Sequence, residues 1–383
     1  MSKMTERTQI RSETKWVIKI GSSLVTQNGK GLDYNALVGW VDEISRLHNF
    51  GMEIVVVSSG AVAEGLCRLG WHERPSEVSA IQAAAAVGQM GLMQAYETEF
   101  RKSGICSAQI LLTYEDFSSR QRYLNVKNTL SKLAQMRSIA VINENDTVST
   151  EEIRFGDNDI LAALVGNMIK ADRVVILTDQ VGLLTCDPRT SPGAKLIQRA
   201  NAEDERLLDI AGGAGRIGRG GMLSKIKSAR MFALSGGTTT IASGRTKGML
   251  EQIRRGTATC TDLIAGKEGL PETERWLAGQ LSTNGTIVVD ADVVQALLRG
   301  EKRIHVHDVL EVRGSFTRDD VVTIASPDDR ALAKGLSNLS AHDIQEVVLG
   351  NREHAASPPD IGNRITELIH HKNIVFDFFN KRA

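Results

Sequence analysis

The stretch VINENDTVSTEEIRFGDNDILAAL, residues 141–164, decides how the chain is organised. A short β-strand-like run, Ile139 to Ile142, stops abruptly at the polar cluster Asn143–Asp146, and a second cluster, Gly156–Asp159, leads directly into an apolar helical run. Asp and Asn can cap helices and support turns, but a cap needs only one such residue. These two clusters hold seven acidic or amide side chains. Because α/β proteins place their sites where strands end and helices begin, the stretch predicts a functional site, with capping as the alternative.

Length and composition limit the class of protein. The chain has 383 residues, enough for two domains, and its 42% hydrophobic content and 35 glycines indicate a large core with many tight turns. Lys plus Arg and Asp plus Glu both number 46, so the overall charge gives no indication of a nucleic-acid or membrane partner.

The cysteines and the N-terminal segment indicate a cytoplasmic protein. The four cysteines are scattered, without CxxC spacing or neighbouring histidines, as expected of reduced thiols. They are Cys67, Cys106, Cys186 and Cys260. Residues 1–14 contain no apolar segment typical of a signal peptide, and no apolar run approaches the length of a membrane span.

Strands alternate with helical segments throughout residues 14–265, which predicts an α/β fold with a mainly parallel central sheet between two helix layers. The irregular, glycine-rich segment around residues 266–271 resembles a linker. Short alternating strands follow it and predict a small β-rich domain. We therefore expect a first domain over residues 14–268, a second over 284–360, and a C-terminal tail over 361–383.

A lysine interrupts the first buried strand, Trp16–Ile20, directly before Gly21. A lysine within an apolar strand is costly unless its ammonium group reaches a partner. At the end of the strand, Lys19 can point towards a phosphate. The alternative is a lysine that reaches solvent from an edge strand.

Two further turns are typical of anion sites. The strand Glu53–Val57 runs into Ser58-Ser59-Gly60, where small residues expose backbone N–H groups at the start of a helix, although a plain N-cap is the alternative. Residues 213–218 match GxGxxG but follow an acidic segment, so the strand that a dinucleotide fingerprint requires is missing. We expect a glycine loop feeding a helix that begins near Gly221 and carries Lys225 in its first turn.

These motifs resemble, in their order along the chain, those of the amino-acid kinase superfamily and, within it, the glutamate 5-kinase family. The resemblance rests on KIGSS at residues 19–23, SSGA at 58–61, INENDTV at 142–148, FGDND at 155–159, LTDQVGL at 177–183 and GGMLSK at 220–225. It implies the three-layer amino-acid kinase fold, with a PUA-like domain as the β-rich C-terminal part.

The resemblance also implies roles for individual residues. Catalysis would fall to Lys19 and Lys225, with Asp159 between them to orient them, and glutamate would bind at Ser59, Asp146 and Asn158. The residues implied in ATP binding are Lys19, Gly21, Thr178, Asp179, Arg219, Gly220, Gly221, Met222, Leu223, Ser224 and Lys225. The family usually has Thr at the position of Arg219 and often a smaller polar residue at that of Leu223. No metal-binding residue is assigned.

The implied reaction is ATP-dependent phosphorylation of the γ-carboxylate of L-glutamate to γ-glutamyl phosphate, the first step of proline biosynthesis. A γ-carboxylate with a reference pKa near ~4.3 is already ionised at pH 7, so no catalytic histidine or cysteine is needed. Positioning and charge neutralisation by lysines, Mg²⁺ and backbone N–H groups then suffice. The resemblance further implies feedback inhibition by proline, a homo-oligomer, and glutamyl phosphate reductase as a partner.

Three alternatives stay open. Another acid kinase of the same fold would differ in substrate. The second alternative is an RNA-binding protein, because PUA-like domains bind RNA in other proteins. The basic residues within 284–360 are, however, offset by Asp and Glu and form no continuous basic surface strip. The pair His370-His371 near the C-terminus is a further candidate, for a metal, although we expect none there.

Overall fold

The structure is a computed structural model, and it describes residues 14–27, 31–149, 158–186, 193–211, 221–299, 303–353 and 367–376. The chain forms two compact units. Unit 1 comprises residues 1–116 and 124–269, and unit 2 comprises residues 117–123 and 270–383.

Unit 1 alternates strands and helices, as the sequence predicts. Its strands are β1 (Lys15–Ile20), β2 (Glu53–Ser58), β3 (Ser107–Leu112), β4 (Ile139–Glu144), β5 (Arg173–Thr178), β6 (Arg199–Asn201), β7 (Thr238–Ser243) and β8 (Thr261–Ile264). The helices from β1 to β5 are α1 (Ser22–Val25), α2 (Tyr34–Asn49), α3 (Ala61–Arg68), α4 (Val78–Lys102), α5 (Glu115–Ser118), α6 (Arg120–Gln135) and α7 (Asn158–Ile169). Those after β5 are α8 (Arg206–Ala211), α9 (Met222–Ala233) and α10 (Met249–Arg255).

The eight strands described in unit 1 form one sheet in the order β3-β4-β2-β1-β5-β7-β8-β6. Every neighbouring pair is parallel except β7 and β8, which run antiparallel. The strand β1 therefore lies in the middle of the sheet, between β2 and β5, and the carboxyl ends of the central strands meet at one edge. The predicted fold class, a mainly parallel sheet, is confirmed.

Alternation along the strands divides their side chains between two faces of the sheet. On one face, Trp16, Ile18, Val56 and Val141 share a core with helices α2, α4 and α10. The residues between them point to the other face, where α7 and α9 pack; a Cβ on Gly166 of α7, for example, would meet both α9 and β5. Lys19 belongs to this second set, so its side chain lies on the α7 side.

Helices α3 and α4 approach each other closely through glycines. A Cβ on Gly88 of α4 would lie 1.8 Å from the carbonyl oxygen of Ala61, and one on Gly65 of α3 would lie 1.7 Å from that of Ala84. Only glycine permits this backbone-to-backbone contact. The Ala-rich helix α4 thus packs tightly on α3.

Unit 2 is a small β-rich body with its own core. Its described strands are β9 (Gly285–Val289), β10 (Ile304–His305), β11 (Val309–Gly314), β12 (Val321–Ala325), β13 (Ala331–Leu336), β14 (Glu367–Ile369) and β15 (Ile374–Phe376). They form a five-stranded sheet, β11-β9-β12-β13-β15, and a two-stranded ribbon, β10-β14. Its helices are α11 (Glu272–Ala278), α12 (Ala291–Leu298) and α13 (Ala341–Glu353).

Three segments of unit 2 lie outside the range 284–360 expected of the β-rich domain, and one of them, 270–283, immediately precedes that range and contains α11. The other two lie further away in the sequence. The segment 367–376, within the expected tail, contributes β14 and β15, and Leu368, Ile369 and Ile374 are fully buried in the unit 2 core. The segment 117–123, within the expected first domain, joins unit 2 because the Phe117 carbonyl accepts a 2.8 Å hydrogen bond from Trp276 Nε1. Both depend on contacts between residues distant in the chain. None of the described helices is long and apolar enough to span a membrane.

Candidate active site

The functional residues expected from the sequence gather at the carboxyl edge of the unit 1 sheet. Gly21 follows β1, Ser59 follows β2, Asn143 ends β4 and Thr178 ends β5. These four strands are neighbours in the sheet, so their ends meet at one edge. In open α/β sheets this edge is where ligands bind.

At this edge, one buried carboxylate holds two lysines. Asp159 Oδ1 lies 2.6 Å from Lys19 Nζ, and Asp159 Oδ2 lies 2.9 Å from Lys225 Nζ. The three residues come from β1 and the first turns of α7 and α9. Lys19 is 4% exposed, Asp159 is 0% exposed and Lys225 is 5% exposed. The alternative of a lysine reaching solvent from an edge strand is excluded, because β1 is central and Lys19 is buried.

This cluster combines two cationic side chains with one anionic side chain. The ammonium groups of Lys19 and Lys225 both lie against the Asp159 carboxylate in a nearly dry environment. Burial works to raise the pKa of Asp159, but Lys19 and Lys225 outweigh it and hold this pKa below its ordinary value. Asp159 is therefore ionised at neutral pH, and the two buried ammonium groups beside it suit the binding of an anion.

A second group of polar side chains surrounds Asn158, the residue before Asp159. The Asn158 Nδ2 group donates to three oxygens: Ser59 Oγ at 2.8 Å, the Ser58 carbonyl at 3.0 Å and Asn143 Oδ1 at 2.8 Å. Asn158 thereby joins the start of α7 to the ends of β2 and β4. Of the residues expected to bind glutamate, the structure brings Ser59 and Asn158 into direct contact.

Gly60 gives the turn after β2 its shape. Its φ of 111° lies in the left-handed region that favours glycine, and a Cβ there would approach Val25 Cγ1 to 2.9 Å. Gly60 is the N-cap residue of α3, while Ser59 makes no cap hydrogen bond and accepts one from Asn158 instead. The capping alternative therefore applies to Gly60 but not to Ser59.

Three further site candidates lie on this edge with different exposure. Asp146 lies in the turn after β4 and is partly exposed. Thr178 is buried at the end of β5, and its hydroxyl donates to Asp179 Oδ1 at 3.1 Å. Asp179 itself is exposed.

The remaining ATP-site candidates surround the start of α9 and the end of β1. Gly221 is the N-cap residue of α9, and Met222, Leu223 and Ser224 precede Lys225 in its first turn. Gly21 lies beside the Lys19 ammonium group, and a Cβ added to it would lie 3.6 Å from Lys19 Nζ, an ordinary van der Waals contact. Arg219 and Gly220 lie outside the described residues, as do Gly156 and Asp157.

Several residues of the site were not predicted from the sequence. Gln89 Oε1 accepts from Asn143 Nδ2 at 2.9 Å, the hydroxyls of Tyr96 and Ser58 lie 2.9 Å apart, and Ser228 Oγ donates to the Asp159 carbonyl at 2.6 Å. Gln89 and Tyr96 belong to α4, far from the polar clusters in sequence. The one available signal was a glutamine flanked by small and apolar residues in a long helix.

The histidine pair lies in unit 2. One ligand atom from each of Glu367, His370 and His371 lies within 4.8 Å of the others. A neutral imidazole has a single lone pair, and that of His370 Nδ1 already accepts a hydrogen bond from the Lys372 N–H at 3.2 Å. His370 thus acts as the cap of a short turn, and a metal there would have to displace this bond.

Comparison with known proteins agrees with this geometry. The amino acid kinase family matches residues 14–243, and the PUA domain matches residues 285–357. Glutamate 5-kinase of Pseudomonas syringae pv. tomato is 47% identical over 371 residues, which cover 96% of this chain and 99% of that protein. Glutamate 5-kinase of Nitrosospira multiformis is 49% identical over 368 residues, covering 96% of this chain and 98% of that protein.

Among solved structures, the UMP kinase of Bacillus anthracis is 15% identical, with a TM-score of 0.47, and the match covers 67% of this chain and 98% of that one. That structural likeness gives no information about the substrate of this chain. The family is shown by the family model and by the high sequence identity over nearly the whole length. This chain belongs to the amino acid kinase family, within its glutamate 5-kinase branch, and carries a C-terminal PUA domain.

Proposed function

We infer that this protein transfers the γ-phosphoryl group of ATP to the γ-carboxylate of L-glutamate, forming γ-glutamyl phosphate, the first step of L-proline biosynthesis. The observation that carries the inference is the buried Asp159 carboxylate shared by Lys19 and Lys225. Phosphoryl transfer between two anionic groups requires positive charge at fixed positions, and the two lysines of this cluster supply it.

Lys19 and Lys225 contact the nucleotide phosphates and the transferred group in this proposal. Asp159 is a positioning residue, because its two oxygens fix both ammonium groups and it has no exposed surface with which to meet a substrate. Holding both lysines in place before ATP binds lowers the reorganisation that the transition state requires.

The nucleotide would lie along the start of α9 and the end of β5. The first N–H groups of a helix and the positive end of its dipole favour phosphate. We therefore assign Gly221 to Lys225, together with Arg219 and Gly220 before them, to the phosphates. Gly21, next to Lys19, would also lie near the phosphates, and Thr178 and Asp179 would line the nucleotide side of the sheet edge.

Glutamate would bind on the other side of β1, at Ser59, Asp146 and Asn158. The side-chain contacts of Asn158 with Ser59 support a preformed pocket at the ends of β2 and β4. The reacting γ-carboxylate is already ionised at neutral pH, with a reference pKa near ~4.3, and therefore attacks without a general base.

Mg²⁺ fits the site as a partner of the nucleotide phosphates. Both oxygens of Asp159 are engaged by lysines, and within the described ranges the group of three or more potential metal ligands belongs to unit 2. Proteins commonly hold Mg²⁺ by substrate phosphates and water with one or two carboxylates. When bound, the ion would neutralise charge on the phosphates.

Further proposals follow from the branch to which the chain belongs. We expect proline to inhibit as the end product, the chain to form a homo-oligomer, and glutamyl phosphate reductase to consume the labile acyl phosphate. We also propose domains at residues 14–268 and 284–360 followed by a tail, and a cytoplasmic location, which suits the four free thiols.

A substrate panel tests the proposed function. The purified full-length chain is incubated with Mg-ATP and hydroxylamine, which traps an acyl phosphate as a hydroxamate. We expect hydroxamate with L-glutamate but not with L-aspartate or N-acetyl-L-glutamate. Equal turnover of aspartate would overturn the substrate assignment, and absence of hydroxamate with glutamate would overturn the activity.

A further inference from the structure

We propose that Gln89 is a positioning residue for the glutamate site: it sets which way the amides of Asn143 and Asn158 point, so that Asn158 presents its oxygen to the substrate's ammonium group. This inference rests on the proposed function for the identity of the substrate. The geometry that carries it consists of hydrogen bonds within unit 1 alone.

The chain of bonds starts in helix α4. Gln89 is 8% exposed, and its Oε1 accepts a 2.9 Å hydrogen bond from Asn143 Nδ2. An amide oxygen can only accept and an amide nitrogen can only donate. Gln89 and the Glu144 N–H, which donates to Asn143 Oδ1, therefore favour the same one of the two orientations of the Asn143 amide, in which Oδ1 points away from α4.

The second bond transmits this orientation across the sheet edge. Asn143 Oδ1 accepts from Asn158 Nδ2 at 2.8 Å, as well as from the Glu144 N–H at 2.9 Å. Asn143 shares the face of β4 with Ile139 and Val141, which pack in the core with α4. Asn158 starts α7, which packs on the opposite face. The relay thus couples both helix layers at the site.

The Asn158 amide is fixed by the same logic. Its nitrogen has two hydrogens, and they are engaged by three acceptors: Asn143 Oδ1, the Ser58 carbonyl and Ser59 Oγ. The group that Asn158 can offer to a further partner is therefore its amide oxygen. An oxygen acceptor suits the α-ammonium of an amino acid and repels a carboxylate, which gives the relay a direct consequence for specificity.

A second contact from α4 holds the other side of the pocket. The Tyr96 hydroxyl lies 2.9 Å from Ser58 Oγ, and Tyr96 is fully buried, two helical turns after Gln89. Residues seven apart lie on the same face of a helix. One face of α4 therefore supports both the Asn143–Asn158 pair and the Ser58–Ser59 turn.

Gln89→Met and Gln89→Glu test the relay in the full-length protein. Methionine keeps the volume and removes the acceptor, whereas glutamate keeps an acceptor oxygen at the same place. With Gln89→Met we expect the KM for L-glutamate to rise about tenfold or more, because the hydrogen bond from the substrate's ammonium group to the Asn158 oxygen is lost. The KM for ATP should change less than about twofold, and Gln89→Glu should recover part of the loss. Gln94→Met, at an exposed position of the same helix, is the matched control.

A substrate analogue separates the relay from a merely structural effect. Glutarate has both carboxylates of glutamate but no ammonium group. We expect Gln89→Met to narrow the preference for glutamate over glutarate about tenfold, since glutarate does not use the Asn158 oxygen. Equal loss of both ligands, or an unchanged KM for glutamate in an otherwise active enzyme, would overturn the relay. Lack of glutamate-dependent hydroxamate in the wild type would instead overturn the proposed function.

Discussion

Lys19 Nζ lies 2.6 Å from Asp159 Oδ1, and the other oxygen of the same carboxylate holds Lys225. The three charged groups are nearly inaccessible to solvent, so the balance among them affects both the stability of the free enzyme and its attraction for a polyanion. Removing the carboxylate and removing one lysine change that balance in opposite directions.

Asp159→Asn removes the carboxylate charge that both buried ammonium groups contact. We expect it to lower the free energy of unfolding by about 3–5 kcal/mol, the usual cost of breaking a buried ion pair, and to lower kcat at least a hundredfold because both lysines lose their fixed positions. Thermal unfolding with and without ATP, and hydroxamate formation, measure the two effects.

Asp42→Asn is the control, since the pair Asp42–Arg46 is exposed on α2 and should contribute under about 1 kcal/mol. Added ATP should restore part of the lost stability of Asp159→Asn, because the phosphates supply the missing negative charge. Similar unfolding temperatures for the two variants would contradict the role of Asp159.

Lys225→Met has the opposite effect on charge. It leaves Lys19 and Asp159 as a neutral pair and keeps the buried methylene stem, so we expect little or no loss of stability. Turnover should fall by orders of magnitude, because the second phosphate contact is gone. Initial rates and circular dichroism check both expectations.

Lys227→Met is the matched control, two residues further on and exposed on the same helix. It should retain nearly wild-type activity. Near-normal turnover of Lys225→Met would remove Lys225 from the site. A large loss of stability would contradict the expectation that Lys19 and Asp159 remain as a stable neutral pair.

Much of this cluster was predictable from sequence, for a physical reason. Lys19 stands out because a charge within an apolar strand needs a partner. Asp159 stands out because it directly precedes an apolar run. Gln89 does not stand out: it is one of three glutamines in α4, and a glutamine in a helix matches a surface position equally well. Its partner, Asn143, is 54 residues away, and only tertiary packing brings them together.

The same limit applies to unit 2. Residues 367–376 lack the length and alternation that would identify strands in isolation, and they are ordered by pairing with β10 and β13. The segment 117–123 follows a strand of unit 1 in sequence, yet Trp276 and Gln280 both donate to its Phe117 carbonyl. Neither pairing has a local signature.

The lowered pKa of Asp159 predicts how stability depends on pH. A carboxyl whose pKa is lower in the folded state contributes its full stability above its ordinary value of 3.8 and loses it as the pH falls through the folded-state value. We expect the difference in unfolding free energy between wild type and Asp159→Asn to be constant at neutral and mildly acidic pH. It should shrink only below the ordinary pKa. Urea unfolding across this range provides the measurement, and a difference that shrinks near neutral pH would contradict the assignment.

The contact between α3 and α4 predicts opposite effects for two Gly→Ala substitutions. At Gly88 the new Cβ would lie 1.8 Å from the Ala61 carbonyl oxygen, so the helices must move apart, and we expect a loss of about 2–3 kcal/mol. At Gly39, within α2, no atom lies within 4 Å of the new Cβ, and alanine should stabilise the helix by about 0.5–1 kcal/mol.

Because Ala61 directly follows Gly60 in the turn that holds Ser59, moving α3 away from α4 should also shift the glutamate side of the site. Gly88→Ala is therefore expected to raise the KM for glutamate more than that for ATP, whereas Gly39→Ala should change neither. Urea unfolding measures the change in stability, and steady-state kinetics on the same two preparations measures the KM values for glutamate and ATP. If Gly88→Ala proved as stable as Gly39→Ala, the close approach of the two helices would be wrong. If it lost stability but kept its KM for glutamate, the turn would be held in place independently of α4.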